Sequence, residues 1–520
     1  MMAFDITNML TPEVFDHPVS HIELIETHIS WVLLTGEFAY KIKKPVNFVF
    51  LDFSTLEKRH ECCEQELRLN RRLAARIYLE VVSITGTPSR PQVSGDGDIF
   101  EYAVKMRQFP QSVQLDNMLA AEKLTADHID AIARMVARFH QTTEVSDDSM
   151  DFGNKQMVYQ PVEENFSQIK ENLDNGLHTD KLDLLAKWCS AEFSRLEAVF
   201  EQRKHDGFIR ECHGDMHLRN LVWYENQAMA FDCIEFNSAL RWIDVISEVA
   251  FLVMDLQDRK QPILANRFLN TYLEISGDYE GLSVLPFYLC YRALVRAKVN
   301  TLRLAQKDLS MAERKNTLTE LDSYLELALT YTEQTKPKLI IMRGLSASGK
   351  STVSQQLLEK MGAIRIRSDV ERKRLFDTLS TDNNLDNKKP NEVDSGIYTK
   401  NASQQTYAKL AELASAVIDA GYDVIVDAAF LMHEQRESFQ ALAKRLTVPY
   451  IIIELNASAE CLRQRISKRQ HDVSDADLTI LEHQLSNWQP LHEDETGRAI
   501  FVNTEEALEI NRLIDTINTI

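Results

Sequence analysis

Eight residues in the second half of the chain restrict its fold more than any other feature: Gly344-Leu-Ser-Ala-Ser-Gly-Lys-Ser351. An apolar run precedes them at 338–343, and an amphipathic stretch follows at 352–361. Two glycines at this spacing permit a turn whose backbone N–H groups point at a phosphate, and a helix that follows adds its positive N-terminal end. The pattern therefore predicts a phosphate-binding turn between a strand and a helix.

The polar residues of this turn have distinct predicted roles. Lys350 supplies a positive charge for the β- and γ-phosphates of ATP, and the Ser351 hydroxyl is a Mg²⁺ ligand. Asp427 ends a later apolar strand, where a second metal carboxylate is expected, although a strand-end Asp can also simply cap a turn. The predicted nucleotide-binding residues are Gly344, Ser346, Ala347, Ser348, Gly349, Lys350, Ser351 and Thr352.

Further charged residues follow later strands of this half. Asp369 comes after the second predicted strand, where it can accept a proton from an acceptor hydroxyl, and Arg372 can hold an anion one turn later. A helix N-cap Asp with a solvated Arg is the alternative. Arg465 and Arg469 share one helix face and can stabilise transition-state charge, and a solvated basic face fits their spacing equally well.

Residues 338–510 resemble the small-molecule P-loop kinases, the group that includes gluconate kinase, polynucleotide kinase and the zeta toxins. The resemblance rests on the phosphate turn, the Asp-x-x-Arg after the second strand and the Arg-rich helix. It implies Asp369 as general base, Arg372 as substrate clamp, and Arg465 and Arg469 as lid residues. The acceptor differs widely in this group, so the resemblance implies none.

The first half carries a second motif, His213-Gly-Asp-Met-His-Leu-Arg-Asn220, followed by an apolar run that ends at Asp232. In phosphotransferases built like protein kinases, this spacing predicts Asp215 as the acceptor of the hydroxyl proton, and Asn220 and Asp232 as metal ligands. A polar loop between helices is the alternative. The motif resembles the aminoglycoside phosphotransferase superfamily, which includes choline and homoserine kinases.

This resemblance extends upstream of the motif. Lys41 ends a strand pattern and matches the nucleotide-anchoring lysine, and Glu66 in the next helix matches its ion-pair partner. Lys43 and Lys44 compete with Lys41 for that role, and Glu64 competes with Glu66. No glycine triplet precedes Lys41, so the sequence does not show which residues of this half would cover the ATP phosphates.

The order of the elements predicts two domains. Residues 1–335 pass from a strand-rich part, about 1–108, to a mostly helical part, about 109–335, which suits an α+β protein-kinase-like bilobal fold. Residues 336–520 alternate strands and helices, which predicts an α/β P-loop NTPase fold with a parallel sheet and helices on both faces. Its strands are expected at 338–343, 363–366, 423–428, 449–455 and 499–503.

The net charge, the cysteine spacing and the apolar segments of the chain disfavour several classes of partner and location. The formal net charge of −20 disfavours a long nucleic acid and an anionic membrane surface. The seven cysteines show no metal-site or disulfide spacing, and no secretory or membrane-spanning segment stands out, so a cytoplasmic location is expected. No sequence signal indicates an oligomeric state.

The full chain resembles a bacterial fusion of an aminoglycoside phosphotransferase-like domain with a P-loop kinase-like ATP-binding domain. This resemblance implies a bifunctional kinase that uses ATP and Mg²⁺ to phosphorylate hydroxyls of small-molecule acceptors. An ATP-driven switch, in which one domain is not catalytic, is a second interpretation. A nucleic-acid end kinase is a third, and the acidic balance weakens it.

Overall fold

The computed structural model describes residues 4–48, 51–147, 149–173, 176–306, 309–376, 400–468 and 478–520. The chain divides into two compact units. The first unit comprises Met1–Asp258 and Phe287–Ala328, and the second comprises Arg259–Pro286 and Leu329–Ile520. The single domain boundary expected near residue 336 stays a prediction.

The first unit opens with an antiparallel sheet in the order β1-β2-β3-β8-β6-β7. Its strands, together with the two-stranded pair β4-β5, are β1 Glu23–Glu26, β2 Ser30–Leu34, β3 Phe38–Lys43, β4 Asn47–Phe48, β5 Leu51–Asp52, β6 Tyr78–Thr87, β7 Arg90–Val93 and β8 Ile99–Arg107. Residues alternate between the two faces of a strand, so Tyr40 and Ile42 of β3 lie in one apolar core. Lys41 and Lys43 therefore point to the opposite face.

Helix α1, Leu56–Ala74, packs against this sheet. Thr55 caps the helix by accepting a hydrogen bond from the Lys58 N–H. Cys63 and Leu67 of α1 pack with Tyr78 and Val104 of the sheet. This contact brings the Glu66 side of α1 towards the lysines of β3.

The rest of the first unit is mainly helical, as the sequence predicts. The helices in chain order are α2 Leu115–Ala120, α3 Ala126–Thr142, α4 Lys155–Asn172, α5 Thr179–His205, α6 Val245–Asp258, α7 Pro262–Ser276, α8 Leu285–Leu304 and α9 Met311–Thr330, of which α7 belongs to the second unit. Two short antiparallel pairs, formed by β9 Ile209–Glu211, β10 Leu221–Tyr224, β11 Gln227–Ala230 and β12 Trp242–Asp244, flank the loop that holds the first-half motif.

The second unit contains a five-stranded parallel sheet in the order β14-β15-β13-β16-β17. Its strands are β13 Leu339–Arg343, β14 Ile364–Arg367, β15 Val424–Asp427, β16 Tyr450–Asn456 and β17 Ala499–Asn503, each within a residue or so of the sequence expectation. The helices, besides α7, are α10 Lys350–Met361, α11 Ser368–Leu375, α12 Lys400–Asp419, α13 His433–Leu446, α14 Ala459–Ser467, α15 Leu478–Ser486, α16 Glu493–Thr496 and α17 Ile510–Thr519.

The predicted fold classes are confirmed: an α+β bilobal kinase-like fold is followed by an α/β P-loop fold with helices on both faces of a parallel sheet. Strands buried on both faces appear in the sequence as continuous apolar runs, and β13 is buried at all of its positions. None of the helices described here combines the length and the apolar character that a bilayer-spanning segment needs.

A buried ion pair should stabilise the helical part of the first unit. Arg203 of α5 donates to both Asp244 carboxylate oxygens, at 2.7 and 2.8 Å, and Asp244 also accepts the Ile246 N–H. Because Asp244→Ala removes the carboxylate that compensates a buried guanidinium, we expect the free energy of unfolding to fall by about 3–5 kcal/mol. Urea unfolding of the full chain, followed by circular dichroism, measures this loss.

The matched control is Glu197→Ala, which breaks an exposed pair with Lys155. Exposed pairs contribute less than about 1 kcal/mol, so this variant should unfold close to wild type. Equal losses in the two variants would contradict the stabilising role of the Arg203–Asp244 pair.

Candidate active sites

In the first unit, the structure brings three of the predicted site residues together. Lys41 of β3 lies 2.8 Å from the Glu66 carboxylate and 2.5 Å from that of Asp232. Burial raises the pKa of Glu66, but Lys41 and Lys43 outweigh this effect and hold the pKa below its ordinary value. Glu64, the competing carboxylate, faces outwards and lies near His60. Glu66 is therefore the α1 carboxylate at this site.

Lys43 occupies a position that the sequence left open. Its side chain is fully buried and contacts the carboxylates of both Glu66 and Glu235. Glu235 belongs to the loop after Asp232, so Lys43 connects β3 and α1 to that loop. The period-two alternation of β3 places Lys41 and Lys43 on one face, but the sequence could not show that both reach the same carboxylate.

The loop between β9 and β10 holds the residues of the first-half motif. Asn220 donates from Nδ2 to the Asp215 carboxylate at 2.9 Å, and its backbone carbonyl accepts the Phe231 N–H, next to Asp232. Burial opposes ionisation of Asp215, but His217, whose ring contacts the carboxylate, outweighs it and holds the pKa of Asp215 below the usual range. Asn220 and Asp232 carry side-chain oxygen atoms, the donors that Mg²⁺ prefers, and so fit the predicted magnesium site.

Buried side chains that sequence reasoning missed fix the backbone of this loop. Glu248 accepts the His213 N–H, and Asp255 accepts the Leu218 N–H at 2.9 Å. Both acids lie on α6, two turns apart on the same face. Arg292 donates to the Gly214 carbonyl at 3.1 Å. Acidic residues two turns apart in the otherwise apolar α6 were the available sequence signal.

In the second unit, the phosphate turn lies between β13 and α10, as its sequence context predicts. Gly349 has a φ of 91°, and Lys350 donates from Nζ to the carbonyls of Gly344 and Leu345 at 2.8 and 2.9 Å. A Cβ on Gly344 would lie 2.5 Å from Ser348 Oγ and 3.0 Å from the Leu455 carbonyl, so only glycine fits there. Among the described residues, the buried Ser348 hydroxyl has no hydrogen-bond partner.

The geometry of this turn fits a nucleotide phosphate and a metal ion. Successive backbone N–H groups of a glycine-bounded turn form a concave site that suits a phosphate. Asp427 at the end of β15 is buried, and its Oδ2 lies 3.2 Å from Ser354 Oγ on α10. Ser354 Oγ also lies 3.2 Å from the Ser351 carbonyl. Ser354 Oγ therefore lies between the Asp427 carboxylate and the backbone carbonyl of Ser351.

A cavity of about 1440 Å³ joins the phosphate turn to the other predicted residues of this half. Predicted residues that line it are Ser346, Ala347, Gly349, Lys350, Ser351, Thr352, Asp369, Arg372, Asp427 and Arg465. Gly344 and Ser348 belong to the turn but do not line it. The cavity also has an unpredicted lining residue, Arg367 at the end of β14.

Arg465 of α14 is fixed to the phosphate turn. It donates to the Ala347 carbonyl at 3.2 Å and to the Thr504 carbonyl at 2.6 Å. Arg463, two residues earlier, pairs instead with Glu482 at the surface. The prediction for Arg469 lies outside the described residues.

Together the fold and these sites define a class of protein: a kinase-like bilobal unit joined to a P-loop nucleotide-binding unit. Residues 39–285 match the family model of the phosphotransferase enzyme family, APH, and residues 339–491 match an AAA domain, AAA_33. The chain therefore carries a phosphotransferase-family domain followed by an AAA domain. Segment 259–285 falls within the phosphotransferase match in sequence, although it packs in the second unit.

Curated relatives and solved structures match this chain over all or part of its length. Proteins of Mycobacterium tuberculosis and Mycobacterium bovis, each named only as uncharacterized, are 29% identical over 92% of this chain and 94% of their own. A putative aminoglycoside phosphotransferase from Ralstonia eutropha matches 64% of this chain and 98% of its own, at 14% identity and a TM-score of 0.39. A gluconokinase from Sinorhizobium meliloti matches 36% of this chain and 98% of its own, at 18% identity and a TM-score of 0.26.

The two lysines of β3 should respond differently to substitution. Lys43→Met leaves Glu66 and Glu235 with one fewer cation in a buried site, so we expect the free energy of unfolding to fall by about 3–5 kcal/mol. Lys41→Met should destabilise less, because Glu66 keeps Lys43 and the Asp232 side chain is 48% exposed. Instead, it should weaken MgATP binding about tenfold, the equivalent of one charge-assisted hydrogen bond.

Urea unfolding and calorimetric titration of MgATP measure these two effects. The titrations use a Lys350→Met background, so that the second unit does not contribute binding heat. Equal stability losses in the two variants, or unchanged MgATP affinity in Lys41→Met, would contradict this division of roles.

Proposed function

We propose that the protein is a bifunctional ATP- and Mg²⁺-dependent kinase, in which each unit phosphorylates a hydroxyl of a small-molecule acceptor. The observation that carries the proposal is the cavity of about 1440 Å³ in the second unit. Pockets for one small ligand measure about 300–1000 Å³, so this cavity has room for a nucleotide and a second substrate. A protein that only switches conformation on nucleotide binding needs no room for a second substrate.

In the second unit, the phosphate turn and Lys350 bind and orient the β- and γ-phosphates. Ser351 and Asp427 are the proposed Mg²⁺ ligands, and a bound Mg²⁺ would neutralise charge on the phosphate oxygens. Asp369 accepts the proton of the acceptor hydroxyl, and Arg372 holds the acceptor in place. Arg465, anchored on the turn, supplies positive charge beside the transferred group.

In the first unit, Asp215 accepts the proton of the acceptor hydroxyl. Asn220 orients the Asp215 carboxylate through their 2.9 Å hydrogen bond and, with Asp232, forms the proposed metal site. Lys41, held by Glu66, is the proposed nucleotide anchor. His213 is buried, and burial lowers its pKa, so its neutral ring can donate to the Phe231 carbonyl and accept the Asp215 N–H. The ring thus stabilises the loop that carries Asp215.

Two single variants separate the proposed activities. Asp215→Asn removes the first proton acceptor and should lower one set of products by about 10²–10⁴-fold. Lys350→Met removes charge at the second phosphate site and should lower a different set by about 10²–10³-fold. Transfer of ³²P from labelled ATP to a panel of sugars, polyols and amino alcohols, resolved by chromatography, identifies the products.

The control variant is Arg463→Ala, which changes an exposed arginine on the same helix as Arg465 and should leave both sets of products unchanged. ATP hydrolysis without any phosphorylated acceptor, abolished by Lys350→Met, would contradict the kinase and favour a regulatory ATPase. Labelling confined to oligonucleotide ends would favour a nucleic-acid end kinase.

A further inference from the structure

Helix α7 covers the edge of the parallel sheet in the second unit. Among the described strands, β14 lies at the end of the sheet order, so one row of its backbone groups has no partner in another described strand. The Asn270 side chain of α7 satisfies two of these groups: its Oδ1 accepts the Arg365 N–H at 2.8 Å, and its Nδ2 donates to the Ala363 carbonyl at 3.1 Å. Tyr279 donates to the Arg365 carbonyl at 3.4 Å. Segment 259–286 is therefore part of this sheet's packing.

Glu274, one turn after Asn270, places its carboxylate between two arginines of β14. Its Oε2 lies 3.2 Å from Arg365, and its Oε1 lies 3.0 Å from Arg367. The three side chains are 19%, 9% and 11% exposed, so water screens them poorly. Without the carboxylate, two guanidinium groups two positions apart on one strand would repel each other.

Both arginines extend from Glu274 to the phosphate and metal end of the site. Arg365 donates from Nη1 to Ser354 Oγ at 3.3 Å and to the Ser351 carbonyl at 3.4 Å. Ser354 is the residue that lies 3.2 Å from Asp427 Oδ2. Arg367 lines the cavity and immediately precedes Ser368 and Asp369. Glu274 is thus linked through Arg365 to Ser354, which contacts the Asp427 carboxylate, and to the backbone carbonyl of Ser351.

We propose that Glu274 is a positioning residue of the P-loop site, which acts through Arg365 and Ser354 to orient Ser351 and Asp427 for Mg²⁺. The inference rests on the function proposed for the second unit and adds to it a residue that precedes the AAA match. Groups one shell behind a metal ligand fix its orientation, and their loss typically reduces metal affinity or activity about 10- to 100-fold.

A second ion pair from the same helix separates positioning from simple docking. Arg267 of α7 pairs with Glu359 of α10 at 2.6 Å, and these side chains are 18% and 19% exposed, close to the 19% of Glu274. Glu359 lies near the C-terminal end of α10, whereas Ser351 and Ser354 lie in its first turns. Arg267→Gln therefore weakens the docking of α7 without touching the path to Ser351 and Asp427.

The test uses the full chain carrying Asp215→Asn, so that the first unit contributes little turnover. Glu274→Gln keeps the size of the side chain and removes its charge. We expect turnover to fall and the free Mg²⁺ concentration for half-maximal turnover to rise, each by about 10- to 100-fold. Glu274→Asp, which keeps the charge, should recover part of both losses. Binding of a fluorescent ATP analogue in EDTA should stay within about twofold, because the phosphate turn is unchanged.

Arg267→Gln should leave turnover, Mg²⁺ dependence and binding in EDTA within about twofold of the parent chain. Equal losses in Glu274→Gln and Arg267→Gln would overturn the proposal and reduce Glu274 to a docking contact, as would an unchanged Mg²⁺ dependence in Glu274→Gln. If Lys350→Met lowers the binding of the analogue that the parent chain shows, the second unit binds nucleotide, and either result refutes the positioning role alone. If the parent chain fails to bind nucleotide with or without Mg²⁺, the proposed function of this unit falls, and this inference with it.

Discussion

The first unit depends on the ion-pair network around one fully buried carboxylate. Glu66 has no exposed surface and meets the ammonium groups of both Lys41 and Lys43. A buried carboxylate is tolerated only when cations and hydrogen bonds compensate its lost hydration. That requirement fixes α1 against β3. Because the same lysines contact Asp232 and Glu235, it also fixes the loop beyond the first-half motif. The position of the proposed nucleotide anchor thus follows from the pairing of one buried charge.

The second unit meets a related constraint by different means. Its phosphate turn is held before any phosphate arrives, since Lys350 donates to two carbonyls of the turn and Arg465 donates to a third. Donors held in place by the fold cost little reorganisation when negative charge develops, which is the main source of electrostatic stabilisation in phosphoryl transfer. In both units, then, the charged groups proposed for chemistry are oriented by other charged or polar side chains, and not by apolar packing alone.

Sequence patterns predicted the sheet of the second unit closely, because Leu339–Arg343 and its parallel neighbours are buried runs with a clear apolar signature. They also identified the segments that carry the proposed catalytic groups. They could not decide between Glu64 and Glu66. Either residue could face the interior, because the sequence does not show which face of α1 packs against the sheet. Glu274 gave no signal either, because its partner Arg365 is 91 residues away and no local motif links them. Long-range ion pairs of this kind follow from tertiary packing, which periodicity does not encode.

The edge of the sheet explains why a segment matched by the phosphotransferase family is part of the P-loop unit. A parallel sheet that ends on an apolar strand exposes unpaired backbone groups and must be covered or paired. Strand β14 solves this with Asn270, whose amide supplies one donor and one acceptor to successive backbone groups of the edge. The helix that covers the edge also carries Glu274, whose carboxylate pairs with Arg365 and Arg367 of β14. A chain that began at residue 336 would lose the edge cover and the Glu274 carboxylate together. The second compact unit therefore includes a segment, Arg259–Pro286, that precedes the AAA match at 339–491.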